Sequence, residues 1–168
     1  MINEALVDIN SVVTPKFAVL DATVCLEGNA PKSGKPKIVN LILASQDIVA
    51  LDTVASKIMG FNPTTIKSII NCAKDKLGNC NLDKIEVIGE DISQLNLNFV
   101  PAKHNFVSLL ELLFRRSIFR DIVFKTPILN ICCFGAYILY LIWYYLGPGI
   151  KYRNEILSHP KYGVQWKD

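Results

Sequence analysis

Apolar positions in the first hundred residues follow two different periods. Residues 1–13 place apolar side chains at helical spacing and predict a short helix, which Pro15 ends. The apolar run 17–20 and the segment 38–43, which is apolar apart from Asn40, instead predict strands that are buried on both faces, and residues 84–88 predict a third strand. Strands that alternate with helices indicate an α/β fold, here a small parallel or mixed sheet with flanking helices.

Helix signals and loop signals separate these strands. Asp47 is placed to cap a helix that Gly60 stops, and Asn62 followed by Pro63 opens another helix. Residues 22–37 are rich in glycine, proline and lysine. They predict a long ordered loop between the first two strands rather than a hairpin turn.

A long uncharged stretch lies further along the chain. Residues 126–150 contain no charge, and 127–146 are apolar or aromatic apart from Asn130. Twenty residues of helix span roughly 30 Å, which is the thickness of the bilayer's hydrocarbon core. Trp143 and the tyrosines beside it lie near one end, where such rings prefer the membrane interface, and Gly147 stops the helix. The stretch predicts a transmembrane helix; a helix buried in a larger assembly and a helix lying in the interface are the alternatives.

Charge divides the chain into segments. We expect an α/β domain over 1–100, a basic apolar helical segment over 101–125, the membrane helix over 126–150 and a basic tail over 151–168. Residues 1–100 carry nine Lys or Arg against eleven Asp or Glu, whereas 101–168 carry nine against four. Basic residues that bracket an apolar run favour membrane lipid, not nucleic acid, as the anionic partner. The beginning of the sequence shows no secretory signal, so we expect a single-pass protein with its domain on the cytoplasmic face of the membrane.

Composition excludes two classes of protein. A hydrophobic fraction of 51% with 20% charge excludes an intrinsically disordered chain. The five cysteines are too few and odd in number for a disulfide scaffold. Cys72 and Cys80 have no second pair nearby, so we expect no iron–sulfur cluster from the chain's own cysteines.

Three motifs in the first part of the chain resemble one protein family. They are DATVCLEGNAPKSG at residues 21–34, LASQDIVALD at 43–52 and MGF at 59–61. In order and spacing they are similar to the domain of unknown function 362 family, DUF362. The resemblance covers residues 1–95 and corresponds to the later part of the family domain, which implies that an N-terminal half is missing. Many family members carry a ferredoxin-like module, so the resemblance also implies an iron–sulfur protein as partner.

The first motif contains the candidate ligand site. Backbone amides of a glycine-rich loop, together with its lysines, suit an anionic ligand; a solvated loop with lysines at its rim is the alternative. The loop is not a nucleotide-binding P-loop, because five residues separate its glycines and Pro36 follows the lysine. Asp21 and Glu27 carry the oxygen ligands that a divalent metal prefers. The residues that we expect to bind ligand are Asp21, Glu27, Gly28, Asn29, Gly34 and Lys35.

Two functions agree with these features. One is a membrane-anchored DUF362-like domain fragment that binds an anionic ligand or a divalent metal and associates with iron–sulfur redox proteins. The alternative is a non-catalytic, membrane-associated interaction module that needs a partner or the missing N-terminal half to fold. No nucleophile paired with a base is recognisable, so the sequence predicts no reaction. Asp47 and Asp52 are interpreted as carboxylates at a helix start rather than as ligands.

Overall fold

The computed structural model describes residues 2–31, 33–103 and 125–166, together with positions 109, 113 and 116. Its main elements are α1 (Ile2–Val12), β1 (Ala18–Asn29), β2 (Ser33–Ser45), α2 (Ile48–Met59), α3 (Lys67–Lys74), α4 (Ile128–Leu146) and α5 (Pro148–Leu157). Short 3-10 helices occur at Pro63–Thr65, Leu82–Lys84 and Gly163–Trp166. The helical segment predicted over 101–125 lies mostly outside the described residues.

The chain folds as two compact units. Unit 1 comprises Met1–Cys25 and Ile38–Phe99, and unit 2 comprises Leu26–Lys37 and Val100–Asp168. One division falls between Phe99 and Val100, and the turn end of the β1–β2 pair also belongs to unit 2.

β1 and β2 form a two-stranded antiparallel sheet. The prediction of a parallel or mixed sheet is therefore wrong. Only residues 30–32 separate the two strands, whereas parallel neighbours need a crossover of a dozen or more residues. Residues 22–37, predicted as a long loop, instead extend both strands up to a tight connection.

The prediction of a third strand over residues 84–88 is also wrong. Residues 82–84 form a 3-10 helix, and the residues that follow up to 88 have no regular secondary structure. In the described sheet only β1 and β2 pair with each other. An apolar run becomes a strand only when a neighbouring strand supplies partners for its backbone hydrogen bonds. In the described sheet, residues 84–88 have no such neighbouring strand.

The core of unit 1 lies among the helices. Val7 of α1, Val49 of α2, and Ile69 and Cys72 of α3 form one buried cluster. The predicted first helix is confirmed over Ile2–Val12, and its buried residue is Val7. α3 packs against both α1 and α2, and this packing stabilises the short helices, although the apolar residues Leu6, Ile9 and Val12 of α1 stay exposed.

α2 begins and ends where its sequence signals predict. The Asp47 carboxylate accepts hydrogen bonds from the amides of Val49 and Ala50, both at 2.9 Å. Gly60 ends the helix with a left-handed φ of +92°. The same carboxylate also accepts a hydrogen bond of 2.8 Å from the amide of Asn79. The interpretation of Asp47 as a helix cap is confirmed, and its second oxygen ties the helix start to a distant loop.

The uncharged segment is not one continuous helix. α4 ends at Leu146, and α5 begins at Pro148 with its axis inclined by 54°. Within the described part of the chain, no single helix is both long and apolar enough to cross a membrane. Among the described residues, one bent pair, α4 with α5, satisfies those requirements by length and composition. The predicted stop at Gly147 is confirmed, but the predicted single helix over 126–150 is interrupted there.

Candidate ligand site at the hairpin turn

Glu27 is the buried carboxylate at the turn end of β1, with only 9% of its surface exposed. Its Oε2 accepts hydrogen bonds of 3.2 Å from the Lys37 ammonium and 3.2 Å from the Val100 amide. Burial alone would raise the pKa of Glu27, but the Val100 amide and the lysines hold that pKa below its usual value. Glu27 is therefore ionised at neutral pH and already balanced by Lys37.

The lowered pKa of Glu27 predicts a loss of stability in acid. The folded state releases this proton more readily than the unfolded state, whose pKa lies near 4.5. Ionised Glu27 therefore stabilises the fold at pH values above the unfolded pKa, and this stabilisation is lost as the pH falls through the folded pKa. Glu27→Gln should lower the free energy of unfolding at pH 7 by about 1 kcal/mol and flatten its acid dependence. Thermal unfolding between pH 3 and 7 measures both effects, with the exposed Glu86→Gln as control. An equally steep acid dependence in the Glu27 variant would contradict the prediction.

Three hydrogen bonds join the end of β1 to residues 100–103. Besides the bond from the Val100 amide to Glu27, the Gly28 amide donates to the Val100 carbonyl at 2.8 Å, and the Lys103 amide donates to Asn29 Oδ1 at 2.8 Å. Gly28 has a φ of +78°, a conformation that favours glycine. These bonds fix the backbone of the turn.

A cavity of about 310 Å³ opens beside this turn within unit 2, and we refer to it as the turn cavity. It is lined by the hairpin residues Glu27, Gly28, Asn29, Ser33 and Lys35, by Val100, Pro101 and Lys103, and by Trp143, Pro148 and Tyr152 of α4 and α5. Four of the six predicted ligand residues thus line one cavity. Of the other two, Gly34 is buried in β2, where an added Cβ would meet Ala30 Cα at 3.1 Å.

Asp21 does not line the turn cavity. Its carboxylate accepts hydrogen bonds from the amide of Thr23 at 2.9 Å and from its hydroxyl at 2.8 Å, which lower the pKa of this exposed group. Asp21 lies six residues before Glu27 in β1 and belongs to unit 1, whereas the turn cavity lies in unit 2. Among the residues that the structure describes, no three His, Cys, Asp or Glu side chains cluster as metal ligands do. The metal site on Asp21 and Glu27 stays a prediction.

Sequence reasoning missed several residues of the cavity. Lys103 lies 74 residues from Asn29, its hydrogen-bond partner, so no local spacing signals the contact. The sequence pattern indicates only a membrane interface for Trp143 and only the basic tail for Tyr152, so neither residue was expected at the cavity. Lys37, which pairs with Glu27 ten residues away, follows from the hairpin that the sequence did not predict.

Comparison with known proteins supports the family resemblance for the hairpin region. Residues 1–57 match the family model described as domain of unknown function (DUF362), a match that includes both strands and most of α2. A thylakoid-associated protein of Synechocystis sp. is 37% identical over 75 residues, or 45% of this chain. The chain spans only 23% of the length of that relative. No solved structure matches the chain. The correspondence to the later part of the family domain stays a prediction.

Proposed function

We propose that this chain is a membrane-attached DUF362-like module, held at the bilayer by α4 and its bend into α5. The observation that carries the proposal is the exposed apolar surface of α4. Large apolar side chains are exposed over more than half of its circumference. They are Ile131, Phe134, Tyr137, Ile138, Leu139, Ile142, Tyr145 and Leu146. An exposed apolar surface of this extent needs an apolar environment, and hydrocarbon supplies it without a partner protein.

Charge and ring placement support the same proposal. No charged residue lies between Lys125 and Lys151, and lysines and arginines lie on both sides of that interval. The rings of Trp143 and Tyr144 are only partly exposed near the end of α4, at the level where aromatic side chains favour the headgroup region. The Synechocystis relative is called thylakoid-associated, which also supports a membrane location.

Alkaline carbonate extraction tests the attachment. We expect the full chain to stay in the membrane pellet, while a peripheral membrane protein in the same sample is released. Complete release of the full chain would overturn the proposal. A helix buried in a protein assembly would then account for the apolar surface of α4.

A second candidate is an interaction module whose hairpin is completed by the rest of a DUF362-like domain. Its support is the exposure of apolar strand residues, such as Ile42 with 68% of its surface exposed and Val19 with 61%. A two-stranded sheet leaves both outer edges unpaired and is marginally stable by itself. The chain also spans only 23% of its relative, so most of a comparable protein lies outside it. The family's iron–sulfur partner would act through that completed domain.

Amide hydrogen exchange on the detergent-solubilised chain tests this second candidate. We expect the outward-facing amides of β1 and β2 to exchange rapidly, because the described sheet has no third strand to pair with them. The Gly28 amide, which donates to the Val100 carbonyl, is the expected exception. The amides of α2, whose residue Val49 lies in the buried cluster, serve as the slowly exchanging reference. Equally slow exchange along both strand edges would contradict the need for a completing domain.

A further inference from the structure

We propose that the turn cavity binds a phosphate ester, of the kind carried by a phospholipid headgroup. The lipid as its source rests on the membrane attachment proposed above. The cavity's volume of about 310 Å³ is at the small end of ligand pockets and suits a headgroup rather than a whole lipid. The proposal narrows the anionic ligand expected at the hairpin to one chemical class.

The charges of the cavity favour an anion. Glu27 is the acidic residue of its wall, and its carboxylate is balanced by Lys37, which does not line the cavity. Lys35 and Lys103 line the cavity, and neither ammonium lies within ion-pair distance of a carboxylate in the described part of the chain. The wall therefore presents two further positive charges to whatever occupies the cavity, and lysine is a common phosphate ligand.

The backbone adds to this positive field. Pro148, the first residue of the ten-residue helix α5, also lines the cavity. Pro148 itself has no N–H, but the Gly147 cap has no side chain to satisfy the amides of the residues that follow it. Helix N-termini with free amides favour anions, so this end of α5 reinforces the two lysines.

The other wall of the cavity is aromatic. The rings of Trp143 and Tyr152 have centroids 6.3 Å apart and are inclined by 52°. Trp143 belongs to the end of the apolar helix α4, and Tyr152 belongs to α5. At the headgroup level, lysines meet lipid phosphate and aromatic rings meet the glycerol and the first acyl carbons. One cavity that combines two lysines with two rings matches this environment better than it matches a free inorganic ion.

Fluorescence of Trp143 provides a direct binding assay. The chain has two tryptophans, so Trp166→Phe leaves Trp143 as the reporter. In the detergent-solubilised full chain, we expect a saturable fluorescence change with dihexanoyl phosphatidylglycerol and none with dihexanoylglycerol, which lacks the phosphate. Lys35→Gln combined with Lys103→Gln should weaken that binding about 30-fold, since each lysine near an anionic lipid contributes about fivefold. The matched control is Lys67→Gln with Lys74→Gln, two exposed lysines of α3 in unit 1.

The outcomes separate the ligand from its source. If inorganic phosphate produces the same saturable change at similar concentration, the phosphate site stands and a free phosphate is its source. An unresponsive Trp143, an equal response to dihexanoylglycerol, or unchanged affinity in the Lys35 and Lys103 variant overturns the proposal. The binding assay uses detergent, so it does not depend on membrane attachment. The lysine variant should also remain in the carbonate pellet, which keeps a failure of the cavity distinct from a failure of the anchor.

Discussion

Phe134→Asp combined with Ile138→Asp should release the full chain from membranes into the alkaline carbonate supernatant. Both side chains are exposed, Phe134 by 64% and Ile138 by 40%, and they lie one turn apart on the same face of α4. A carboxylate at the centre of a membrane helix is unfavourable by about 2.5 to 3.5 kcal/mol, so the pair opposes insertion by roughly 5 to 7 kcal/mol. That free-energy difference shifts the chain from almost wholly in the membrane pellet to almost wholly in the supernatant.

Two control variants assign this release to α4. Phe134→Leu with Ile138→Leu keeps the surface apolar and should stay in the pellet. Val19→Asp with Ile42→Asp adds the same charge to exposed apolar positions of the hairpin and should also stay there. Retention of the α4 aspartate variant would show that the helix surface does not contact lipid. Release of the hairpin variant would instead place the membrane contact on the strands.

The sequence predicted best those features whose causes are local. Asp47 and Gly60 bound α2 because a carboxylate satisfies free amides at a helix start and a glycine adopts the left-handed conformation at its end. Gly147 ends α4 for a similarly local reason, since glycine followed by proline does not continue a helix. Each of these signals is complete within about four residues, so it needs no knowledge of the fold.

The pairing of strands depends on contacts that the sequence pattern does not contain. The apolar runs around Val19 and Ile42 were interpreted as strands covered on both faces, which favoured a parallel or mixed sheet. In the structure these residues are exposed, and β1 pairs with β2 through a tight connection. Glycine, proline and lysine at 28–37 indicated a loop, but a strand pair at the edge of a domain tolerates all three.

Only the local part of the candidate site could be predicted from the sequence, because the rest depends on contacts between distant segments. Glu27, Gly28, Asn29 and Lys35 come from one motif, so their proximity follows from their place in the chain. The rest of the cavity depends on residues 100–103, which dock on the turn through backbone and side-chain hydrogen bonds. No periodicity or motif connects segments more than 70 residues apart. Asp21 belongs to the same motif but does not line the cavity, and its part in a ligand site stays a prediction.

Gly78→Ala should destabilise unit 1 by about 3 kcal/mol, because it adds a methyl group at the start of α2. A Cβ at residue 78 would overlap the Asp47 carboxylate and approach Val49 Cβ to 2.7 Å. Val49 belongs to the buried cluster and Asp47 caps the helix, so relief of the clash must disturb either the core or the cap. Overpacking of this kind typically destabilises the folded state by about 1 to 3 kcal/mol, and loss of a helix cap destabilises it by about 1 kcal/mol more.

Amide exchange in α2 measures this effect directly. Exchange of its slowest amides should accelerate about 100-fold in Gly78→Ala, which corresponds to roughly 3 kcal/mol. Gly135→Ala is the matched control, since a Cβ there meets nothing within 4 Å and the residue lies in α4 of unit 2. A double-mutant cycle then locates the clash, because Gly78→Ala should be less destabilising in an Asp47→Ala background, where the carboxylate is absent. Equal destabilisation in both backgrounds would assign the whole effect to the contact with Val49. Unchanged exchange in Gly78→Ala would contradict the prediction and show that the loop around residue 78 does not contact the start of α2.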